Sequence, residues 1–301
     1  MNKARGRLQV VATPIGNLSD LSPRARQALE EADLIVAEDT RRTLGMLQAI
    51  GVSRPMVSLH AHNEGQRVPG LLERLAAGEV ISLVSDAGTP LLSDPGFELV
   101  SSAATAGFEI RIIPGPSAIT AALAVAGLPT SRFCFEGFLP ARSRERRSEL
   151  ARLAHESRTL VFFEAPHRIA QMLADLVTEF GRDRRAVVTR ELTKTHETIY
   201  RGTLAELADL AASDANFRRG EITVVVHGAP ELSSSVDVQL LRRTVELLAK
   251  ELPPGRVASI AAQLTGATRS EAYALVSRGV REEGGEGGQG GEGGEGDGTS
   301  I

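Results

Sequence analysis

Residues 80–96 read VISLVSDAGTPLLSDPG, and this stretch decides the fold. An apolar run, Val80 to Val84, ends abruptly in Ser85-Asp86-Ala87-Gly88-Thr89-Pro90. A β-rich run followed by an acid, a glycine and a proline is typical of a buried parallel strand that ends in a binding loop. In open α/β sheets, ligands bind just beyond the carboxyl ends of the strands. The sequence therefore predicts that this loop forms the floor of an active site.

The same pattern of apolar run, loop and helix recurs through the first half of the chain. Further strands are predicted at residues 8–12, 34–37, 56–60 and 109–113, with helical segments between them. This strict alternation predicts a parallel sheet with helices on both faces. Because the carboxyl ends of parallel strands meet at one edge, we expect the loops that follow them to face a common site.

The second half alternates less regularly, which predicts a mixed sheet. The expected fold class is α/β, with a parallel-sheet N-terminal domain, a mixed-sheet second domain and a small helical C-terminal domain. The predicted limits are 1–116 and 117–230 for the two α/β domains, 236–281 for a helix-turn-helix-like array, and 282–301 for a Gly/Glu tail. A helix near residues 118–125 is expected to bridge the two sheets. The low-complexity tail is expected to be disordered.

The composition indicates a substantial core and few stacking side chains. Of the 301 residues, 42% are hydrophobic but only 4% are aromatic, and Trp is absent. The formal net charge is −4, yet residues 282–301 alone carry six acids and no Lys or Arg. Lys occurs only at positions 3, 194 and 250 in an arginine-rich chain. The preference for Arg over Lys has two equally good explanations. One is a coding bias, and the other is phosphate recognition, for which the forked guanidinium is suited.

The location of the protein is expected to be cytoplasmic. Cys134 is the only cysteine, which excludes an intrachain disulfide and fits a reducing compartment. No signal peptide is visible, and no apolar run reaches the ~18 residues that a membrane span needs.

Several common sites are excluded by their missing motifs. The chain has no G-x-x-x-x-G-K-S/T, no G-x-G-x-x-G after the first strand and no G-x-S-x-G. His60 and His62 have no cysteine nearby, so no metal is expected. What remains is a small molecule held largely by backbone groups, since Gly, Ala and Ser let the main chain approach closely.

Six motifs in a fixed order carry a resemblance to a known family. They are Pro14-Ile15-Gly16-Asn17-Leu18 with Asp20, Glu38-Asp39-Thr40-Arg41, Ser85 to Pro90, Pro114-Gly115-Pro116-Ser117-Ala118, Glu164-Ala165-Pro166-His167-Arg168 and Arg190-Glu191-Leu192-Thr193-Lys194. Together they resemble the small-subunit ribosomal RNA cytidine 2′-O-methyltransferases, in the tetrapyrrole methylase-like class of S-adenosylmethionine enzymes. The resemblance covers residues 8–229, and residues 236–280 resemble that family's C-terminal helical domain.

The resemblance implies the cofactor, the substrate and the assembly. It implies S-adenosyl-L-methionine in a cleft between two α/β domains, a homodimer, and small-subunit ribosomal RNA or the 30S subunit as substrate, modified at a decoding-centre cytidine. By motif position it assigns cofactor contacts to Pro14, Asp86, Ala87, Gly88, Thr89, Ser117, Ala118, Phe163 and Val225. For Asp86 the alternative is a turn-stabilising role, in which the carboxylate bonds its own backbone.

Methyl transfer to a ribose hydroxyl requires in-line alignment and a group that accepts or guides the proton. The candidates for that group are Glu38, Asp39, Glu64, Glu191 and Lys194, and we favour Lys194, Glu191 and Glu38 as catalytic residues. A lysine acts as a base only if burial lowers its pKa. A purely structural salt bridge between Lys194 and Glu191 is an equally good interpretation.

Contacts with RNA are expected from exposed cations that follow strand ends or lie on one helix. The candidates are Arg41, Arg42, His167, Arg168, Arg142 and Arg144. The alternatives are helix capping for the His167-Arg168 pair and a solvated helix face for the arginines of residues 142–152.

Two other functions stay open at this point. One is a methylase of the same class that acts on a tetrapyrrole or a modified protein residue, against which the loop at residues 13–18 and the helical C-terminus argue. The other is a ribosome-binding protein without catalysis.

Overall fold

The structure is a computed structural model that describes residues 6–230 and 238–283. The chain divides into two compact units, Met1–Ala229 and Pro230–Ile301, and each has its own hydrophobic core. In the part of the chain that the structure describes, no helix combines the length and the hydrophobicity needed to cross a membrane.

The first sheet is parallel throughout. Its strands and helices alternate as β1 (Arg7–Val11), α1 (Pro23–Glu31), β2 (Leu34–Ala37), α2 (Thr40–Ala49), β3 (Met56–Ser58), α3 (Glu64–Ala76), β4 (Val80–Val84), α4 (Phe97–Thr105) and β5 (Glu109–Ile113). The strand order is β3-β2-β4-β1-β5, so β4 lies at the centre of the sheet. Every pairing is parallel, which confirms the prediction.

Helices cover both faces of this sheet because its strands are apolar on both sides. Ile81 and Leu83 of β4 pack in a core with α3 and α4, whereas Val84 packs in a second core with α1 and α2. The N-terminus of α1 follows the sequence signal closely, since the Ser22 hydroxyl accepts the Ala25 N–H at 3.0 Å and Pro23 opens the helix.

The second sheet is mixed, as the irregular alternation predicts. Its elements are α5 (Ala118–Ala126), β6 (Phe133–Phe138), α6 (Ser143–Leu153), β7 (Thr159–Glu164), α7 (Ile169–Phe180), β8 (Arg185–Arg190), β9 (Thr198–Thr203), α8 (Leu204–Ser213) and β10 (Ile222–Val226). The order is β6-β7-β10-β8-β9. Among these described strands only β6 and β7 are parallel, and the other three pairings are antiparallel.

Helix α5 joins the two sheets. It follows directly after β5 of the first sheet, yet it packs on the second sheet against Val161, Val187 and Val225. The other face of the second sheet is covered by α6, α7 and α8. The start of α5 is therefore held where the loops of the two sheets meet.

The described residues of the second unit form three helices, α9 (Val238–Leu248), α10 (Pro254–Thr265) and α11 (Arg269–Glu283). They share a small core that includes Leu241, Val257 and Val276. Gly266 adopts a left-handed conformation, with φ of +71°, where α10 ends. The predicted domain limits stay predictions. Residues 284–301 of the predicted disordered tail lie outside the described residues, whereas residues 282 and 283 belong to α11.

Candidate active site

A cleft of about 440 Å³ opens between the strand-end loops of the first sheet and the second sheet. Its walls come from the loops after β2 and β4, from the start of α5, and from the ends of β7, β8 and β10. This volume lies in the range of pockets that hold small molecules, roughly 300–1,000 Å³. The opening stretch of the sequence thus lies in the wall of this cleft, at the carboxyl edge of the parallel sheet.

The loop after β4 is fixed to the loop after β1. Thr13 and Gly88 exchange both backbone hydrogen bonds, at 2.8 and 3.1 Å, and the Thr89 hydroxyl donates to the Pro116 carbonyl at 3.1 Å. Gly88 has φ of +85°, and a Cβ there would lie 3.2 Å from Ile15 Cγ2. Glycine therefore suits this position for both its conformation and its lack of a side chain. The loops that follow β1, β4 and β5 are thus held together, and their backbone forms part of the cleft wall.

Asp86 links two strand ends. One of its carboxylate oxygens accepts the Asp39 N–H at 2.9 Å, and the other lies 3.3 Å from Nη1 of Arg42. Both partners belong to the loop and helix that follow β2, so the anchor is not the local Asx turn considered above. The same carboxylate lines the cleft beside residues 87–89. A structural link and a ligand contact are compatible at this position.

The start of α5 supplies backbone donors. Ser117, Ala118 and Ile119 all line the cleft. The first N–H groups of a helix have no acceptor within the helix, and the Ser117 side chain makes no capping hydrogen bond. An anionic group of a ligand would find these donors and the positive end of the helix dipole there.

An aromatic surface forms the wall on the side of the second sheet. The ring of Phe163 packs 4.8 Å from that of Phe135 and 5.6 Å from that of Phe138. Phe138 is 57% exposed, and both it and Phe163 line the cleft. The sequence points to Phe163 but not to Phe138.

Two of the expected cofactor contacts do not line the cleft. Val225 is fully buried in the core beneath α5, so that helix separates it from any ligand. Thr223 lines the cleft instead, from the same face of β10, because side chains two residues apart share a face of a strand. Pro14 is half-buried, and its neighbour Ile15 is the residue of that loop that lines the cleft.

Three carboxyl groups in the cleft wall have raised pKa values: Glu38 and Asp94 on the side of the first sheet, and Glu164, whose pKa is raised by burial, on the side of the second sheet. Burial raises the pKa of Glu38, with Asp86 adding to the effect and Arg42 opposing it. Burial raises the pKa of Asp94 to about 6, with Glu38 and Asp86 adding to the effect and a hydrogen bond with Ser85 opposing it. Carboxylates of raised pKa are suited to accept a proton near neutral pH. The first-sheet wall is thus acidic and holds two of these three groups.

Asp94 lies in a loop with an unusual backbone. Leu91 and Ser93 have φ of +75° and +72°, a conformation that costs a non-glycine residue roughly 1–2 kcal/mol. The far end of the loop is anchored by Glu64, whose buried carboxylate accepts the N–H groups of Gly96 and Glu98 at 3.0 and 2.9 Å. Glu64, one of the candidate proton acceptors, therefore fixes the start of α4 and is not part of the cleft wall.

Lys194 is held as a cation. Its Nζ lies 2.8 Å from Oε1 of Glu191 and 3.1 Å from Oε2 of Glu221, and its side chain is 25% exposed. Burial alone would lower the pKa of Lys194, but the hydrogen bonds with Glu191 and Glu221 outweigh it, so that the pKa is raised. A Cβ on Gly16 would lie 2.4 Å from Cγ of Lys194, which shows how closely the lysine stem crosses the first loop. This geometry argues against Lys194 as the proton acceptor and favours the structural interpretation.

Glu191 and Asp39 are also committed to partners. Burial alone would raise the pKa of Glu191, but hydrogen bonds from Lys194 and from the Glu221 N–H lower it overall. The Asp39 carboxylate binds the Arg41 guanidinium through both oxygens, at 3.1 and 2.7 Å, and these bonds hold the pKa of Asp39 well below its usual range. Neither carboxylate is placed to accept a proton near neutral pH.

The cations expected to bind RNA differ in their exposure and in the partners they already have. Arg42 lines the cleft and its side chain is 69% exposed, whereas the guanidinium of Arg41 is shared with Asp39. His167 is exposed. Arg168 is mostly buried, donates to the Leu139 carbonyl at 2.6 Å and lies 3.1 Å from Glu164. Arg168 therefore anchors the start of α7, which favours the capping interpretation over a phosphate contact.

The arginines of α6 form a partly neutralised face. Arg142 and Arg144 are exposed, but Arg142 lies 3.2 Å from Glu145. Arg146 is 1% exposed and binds Asp175 at 2.7 Å, so it is a buried anchor of the helix. This arrangement favours the solvated-face interpretation for much of the segment.

Sequence reasoning missed Asp94, Phe138 and Thr223 among the residues of the cleft wall. One signal could have found Asp94: the opening stretch contains the pair Ser-Asp twice, at Ser85-Asp86 and at Ser93-Asp94. Within the described residues, His, Cys, Asp and Glu form no group of three that could hold a metal ion.

Known methyltransferases are similar to this chain in sequence. Residues 7–208 match the family model described as tetrapyrrole (corrin/porphyrin) methylases. Curated relatives called ribosomal RNA small subunit methyltransferase I include those of Xylella fastidiosa strain Temecula1 (53% identical, 89% of this chain and 98% of the relative), Pseudomonas aeruginosa (50%, 89% and 95%) and Escherichia coli O157:H7 (44%, 90% and 95%).

Solved structures show the same fold. They include the methyltransferase CobJ (TM-score 0.54, 22% identity, 75% of this chain and 95% of that chain) and diphthine synthase (0.54, 20%, 73% and 90%). The uroporphyrin-III C-methyltransferase of Thermus thermophilus, solved with S-adenyl homocysteine, has a TM-score of 0.52 at 19% identity and covers 73% of this chain and 97% of that chain. At these identities the likeness confirms the predicted fold class and no more.

The family is decided by the sequence relatives, which match this chain over nearly their whole length at 44–53% identity. The match to the family model, over residues 7–208, agrees with them and with the order of the six motifs. The chain therefore belongs to the ribosomal RNA small subunit methyltransferase I family, within the tetrapyrrole methylases.

Proposed function

We propose that this S-adenosylmethionine-dependent ribosomal RNA methyltransferase acts on the 2′-hydroxyl of a cytidine ribose in the decoding-centre region of small-subunit ribosomal RNA. The observation that carries the choice of a hydroxyl is the acidic cleft wall with Glu38 and Asp94, both of raised pKa. A hydroxyl is a poor nucleophile until its proton leaves, so it needs such a group nearby. Family membership supports the small-subunit RNA, and the motif resemblance supports the cytidine ribose.

The residues of the cleft fit S-adenosylmethionine. Its ammonium and sulfonium charges suit a wall that contains Glu38 and Asp86, and its carboxylate suits the free N–H groups at the start of α5. Its adenine suits the rings of Phe163 and Phe138, while the absence of a side chain at Gly88 leaves the backbone open to the ligand. When bound, the cofactor supplies an electrophilic methyl group.

Site roles are proposed on the same basis. Asp86, Ala87, Gly88, Thr89, Ser117 and Ala118 hold the cofactor, together with Phe163. Arg42 contacts an RNA phosphate at the rim, since it combines a place in the cleft wall with high exposure. These residues position the two reactants, which is the larger part of catalysis for a transfer between bound groups.

The remaining proposals concern assembly and location. We propose a homodimer in the cytoplasm, where the ribosomal substrate is found. The edge strand β5 supports the dimer, because its Ile112 is 55% exposed on the first sheet. The single cysteine agrees with a reducing compartment. Light scattering of the purified protein at micromolar concentration is expected to give the mass of two chains, and a mass of one chain would contradict the dimer.

The proposed reaction is tested by locating the transferred methyl group. Purified protein is incubated with methyl-labelled S-adenosylmethionine and either unmodified 30S subunits or free small-subunit RNA, and the RNA is digested to nucleosides. We expect the label in 2′-O-methylcytidine from a single site. Label in a base or in another nucleoside would overturn the proposed substrate, and binding of subunits without any transfer would favour the non-catalytic alternative.

A further inference from the structure

We propose that Asp94 is a catalytic residue of this site, the carboxylate that accepts the proton of the hydroxyl that is methylated. The inference rests on the proposed function, because a hydroxyl substrate is what requires a proton acceptor. Asp94 lines the cleft on the side of the first sheet, beyond the loop whose backbone is assigned to the cofactor. It follows β4 by ten residues and is not among the candidates that the sequence suggests.

The backbone around Asp94 is built to hold that carboxyl group in place. The left-handed residues Leu91 and Ser93 bring the chain back toward the cleft, and their strain persists because both ends of the loop are fixed. Gly96, at the far end, has φ of +117°, and a Cβ there would lie 2.8 Å from Cδ2 of Leu83. The buried carboxylate of Glu64 holds the N–H of the same glycine. Glu191 and Thr193 in the loop after β8 also have positive φ, of +52° and +67°, so the role of Asp94 follows from its place in the cleft wall and from its neighbours as well as from this strain.

The other acidic and basic candidates have partners that remove them from this role. Lys194 is paired with two carboxylates, Glu191 with Lys194 and the Glu221 N–H, and Asp39 with Arg41. Asp86 holds the Asp39 N–H and faces Arg42. Glu164, buried at the end of β7, accepts the Ala165 N–H at 2.7 Å and lies 3.1 Å from Arg168, so it is held within the second-sheet wall. This leaves Glu38 and Asp94.

The charges that face Asp94 distinguish it from Glu38. Asp94 is near the carboxylates of Glu38 and Asp86, and the groups that act on its pKa include the Ser85 hydroxyl but no cation. Glu38, in contrast, is near Arg42 and His60, both of which favour its ionised form. Arg42 and His60 thus favour the carboxylate form of Glu38, and the charge of that carboxylate raises the pKa of Asp94. Of the two, Asp94 is the better acceptor, and Glu38 acts through it.

The step balances without any further reactant. The ribose 2′-oxygen forms a bond to the methyl carbon while the bond from that carbon to sulfur breaks, and the electron pair of the broken bond stays on sulfur. The proton of the hydroxyl passes to the Asp94 carboxylate. Water then takes the proton from Asp94, which restores the carboxylate for the next turnover.

The experiment compares Asp94→Asn with wild type in the full chain, with Asp183→Asn as a control at an exposed aspartate outside the cleft wall. The readouts are the single-turnover rate with 30S subunits across pH 5–9 and the Kd for S-adenosylmethionine by calorimetry. We expect the rate of Asp94→Asn at pH 7.5 to fall about 10²- to 10³-fold, as for loss of a general base. We expect its cofactor Kd to change less than about threefold, and the control to match wild type in both.

The pH profile provides a readout that a structural role would not move. The wild-type rate is expected to rise with pH through about 6, where Asp94 loses its proton, and this limb is expected to vanish in Asp94→Asn. Asp94→Glu, which keeps a carboxyl group on a longer arm, is expected to recover at least a tenth of the wild-type rate even if the amide variant folds poorly.

Each contrary outcome separates this inference from the proposed function. Label on a cytidine ribose at an undiminished rate in Asp94→Asn would overturn the role of Asp94 alone. The role of Asp94 is equally overturned if the rate loss is accounted for by a weaker cofactor Kd, or if Asp94→Glu is as inactive as Asp94→Asn. Wild-type label on a base would overturn the proposed function, and this inference with it.

Discussion

Both walls of the cleft carry charged side chains, but these charges are paired in one wall and unbalanced in the other. On the side of the second sheet, Lys194 lies between Glu191 and Glu221, so its charge is matched within 3.1 Å. Glu164 in the same wall has a pKa raised by burial, but it lies 3.1 Å from the guanidinium of Arg168. On the side of the first sheet, the carboxyl groups of Glu38, Asp86 and Asp94 lie near one another, with Arg42 beside Glu38 and Asp86, and the pKa values of Glu38 and Asp94 are raised. Matched charges stabilise a fold, whereas an excess of one charge changes proton affinities. The difference indicates that the first wall performs the chemistry and the second holds the site together.

The largest effect on cofactor affinity is expected at the link within the acidic wall. Asp86→Ala removes the acceptor of the Asp39 N–H and the partner of Arg42. Hydrogen bonds to charged groups contribute about 1.5–3 kcal/mol each, so we expect the Kd for S-adenosylmethionine to rise about 10- to 100-fold by calorimetry. Glu109→Ala, which removes an exposed carboxylate paired only with Arg111 in the described contacts, serves as the control. An unchanged Kd in Asp86→Ala would remove Asp86 from the cofactor site.

A smaller loss of cofactor affinity is expected from the backbone of the same wall. Gly88→Ala adds a Cβ 3.2 Å from Ile15 at a φ of +85°, which strains the loop by about 1–2 kcal/mol. We expect the cofactor Kd to rise about tenfold.

Gly127→Ala is the matched control for Gly88→Ala, because it has φ of +69° and nothing within 4 Å of the added Cβ. It is expected to lower the melting temperature while leaving the Kd unchanged. If the cofactor Kd rose equally in the two variants, the loss of affinity would come from backbone strain alone and not from the position of Gly88 in the cleft wall.

A substitution in the opposite wall is expected to change the stability of the protein and not the rate of methyl transfer. Lys194→Met keeps the stem over Gly16 but removes the ammonium, so we expect a loss of about 1–2 kcal/mol in the free energy of unfolding, reduced by partial solvent screening. The ion pair should be fully formed between about pH 5 and 10. The pKa of Lys194 is raised above 10.5, so the stabilisation by the ion pair is lost at the alkaline end only as pH rises through that raised pKa. The pKa of Glu191 is lowered below 4.5, so the stabilisation is lost at the acid end as pH falls through that lowered pKa.

Thermal unfolding of wild type and Lys194→Met across this pH range measures the difference. A constant gap in melting temperature from pH 6 to 9 that shrinks below about pH 4.5 agrees with the structural interpretation. A gap that changes sharply near pH 7 would mean that Lys194 titrates there and is not held as a cation.

The smallest effect is a gain in stability at Asp94. Because its pKa is raised from 3.8 to about 6, the folded state binds a proton more readily than the unfolded state, and ionised Asp94 opposes folding above pH 6. Asp94→Asn is therefore expected to be more stable than wild type at pH 7.5, by on the order of 1 kcal/mol, and the advantage should disappear as pH falls from 6 toward 4. A variant less stable than wild type at pH 7.5 would contradict the raised pKa.

Much of the fold could be predicted because its signals are local. The alternation of apolar runs with helices predicts the parallel sheet, and Ser22-Pro23 predicts the start of α1 from the chemistry of one turn. The amphipathic pattern predicts a helix over residues 238–252, but α9 ends at Leu248. The sequence does not signal this earlier end, because Ala249, Lys250 and Glu251 favour helix.

The site was predicted only where it follows directly from a strand end. Gly88, Ser117 and Phe163 line the cleft for that reason. Asp94 was missed because its position depends on the left-handed conformation of Leu91 and Ser93, which their side chains do not signal. Arg168 and Lys194 are residue types typical of functional cations, and their distant partners, the Leu139 carbonyl and Glu221, become visible only in three dimensions.

The most direct test of the contrast between the two walls measures Asp94→Asn and Lys194→Met side by side. Single-turnover transfer to 30S subunits is followed at pH 7.5 with saturating S-adenosylmethionine, at a temperature at which both variants are folded. We predict that Asp94→Asn is at least about 100-fold slower than wild type and that Lys194→Met is within about fivefold of it. A wild-type rate in Asp94→Asn together with a loss of about 100-fold in Lys194→Met would contradict the assignment of the chemistry to the first wall.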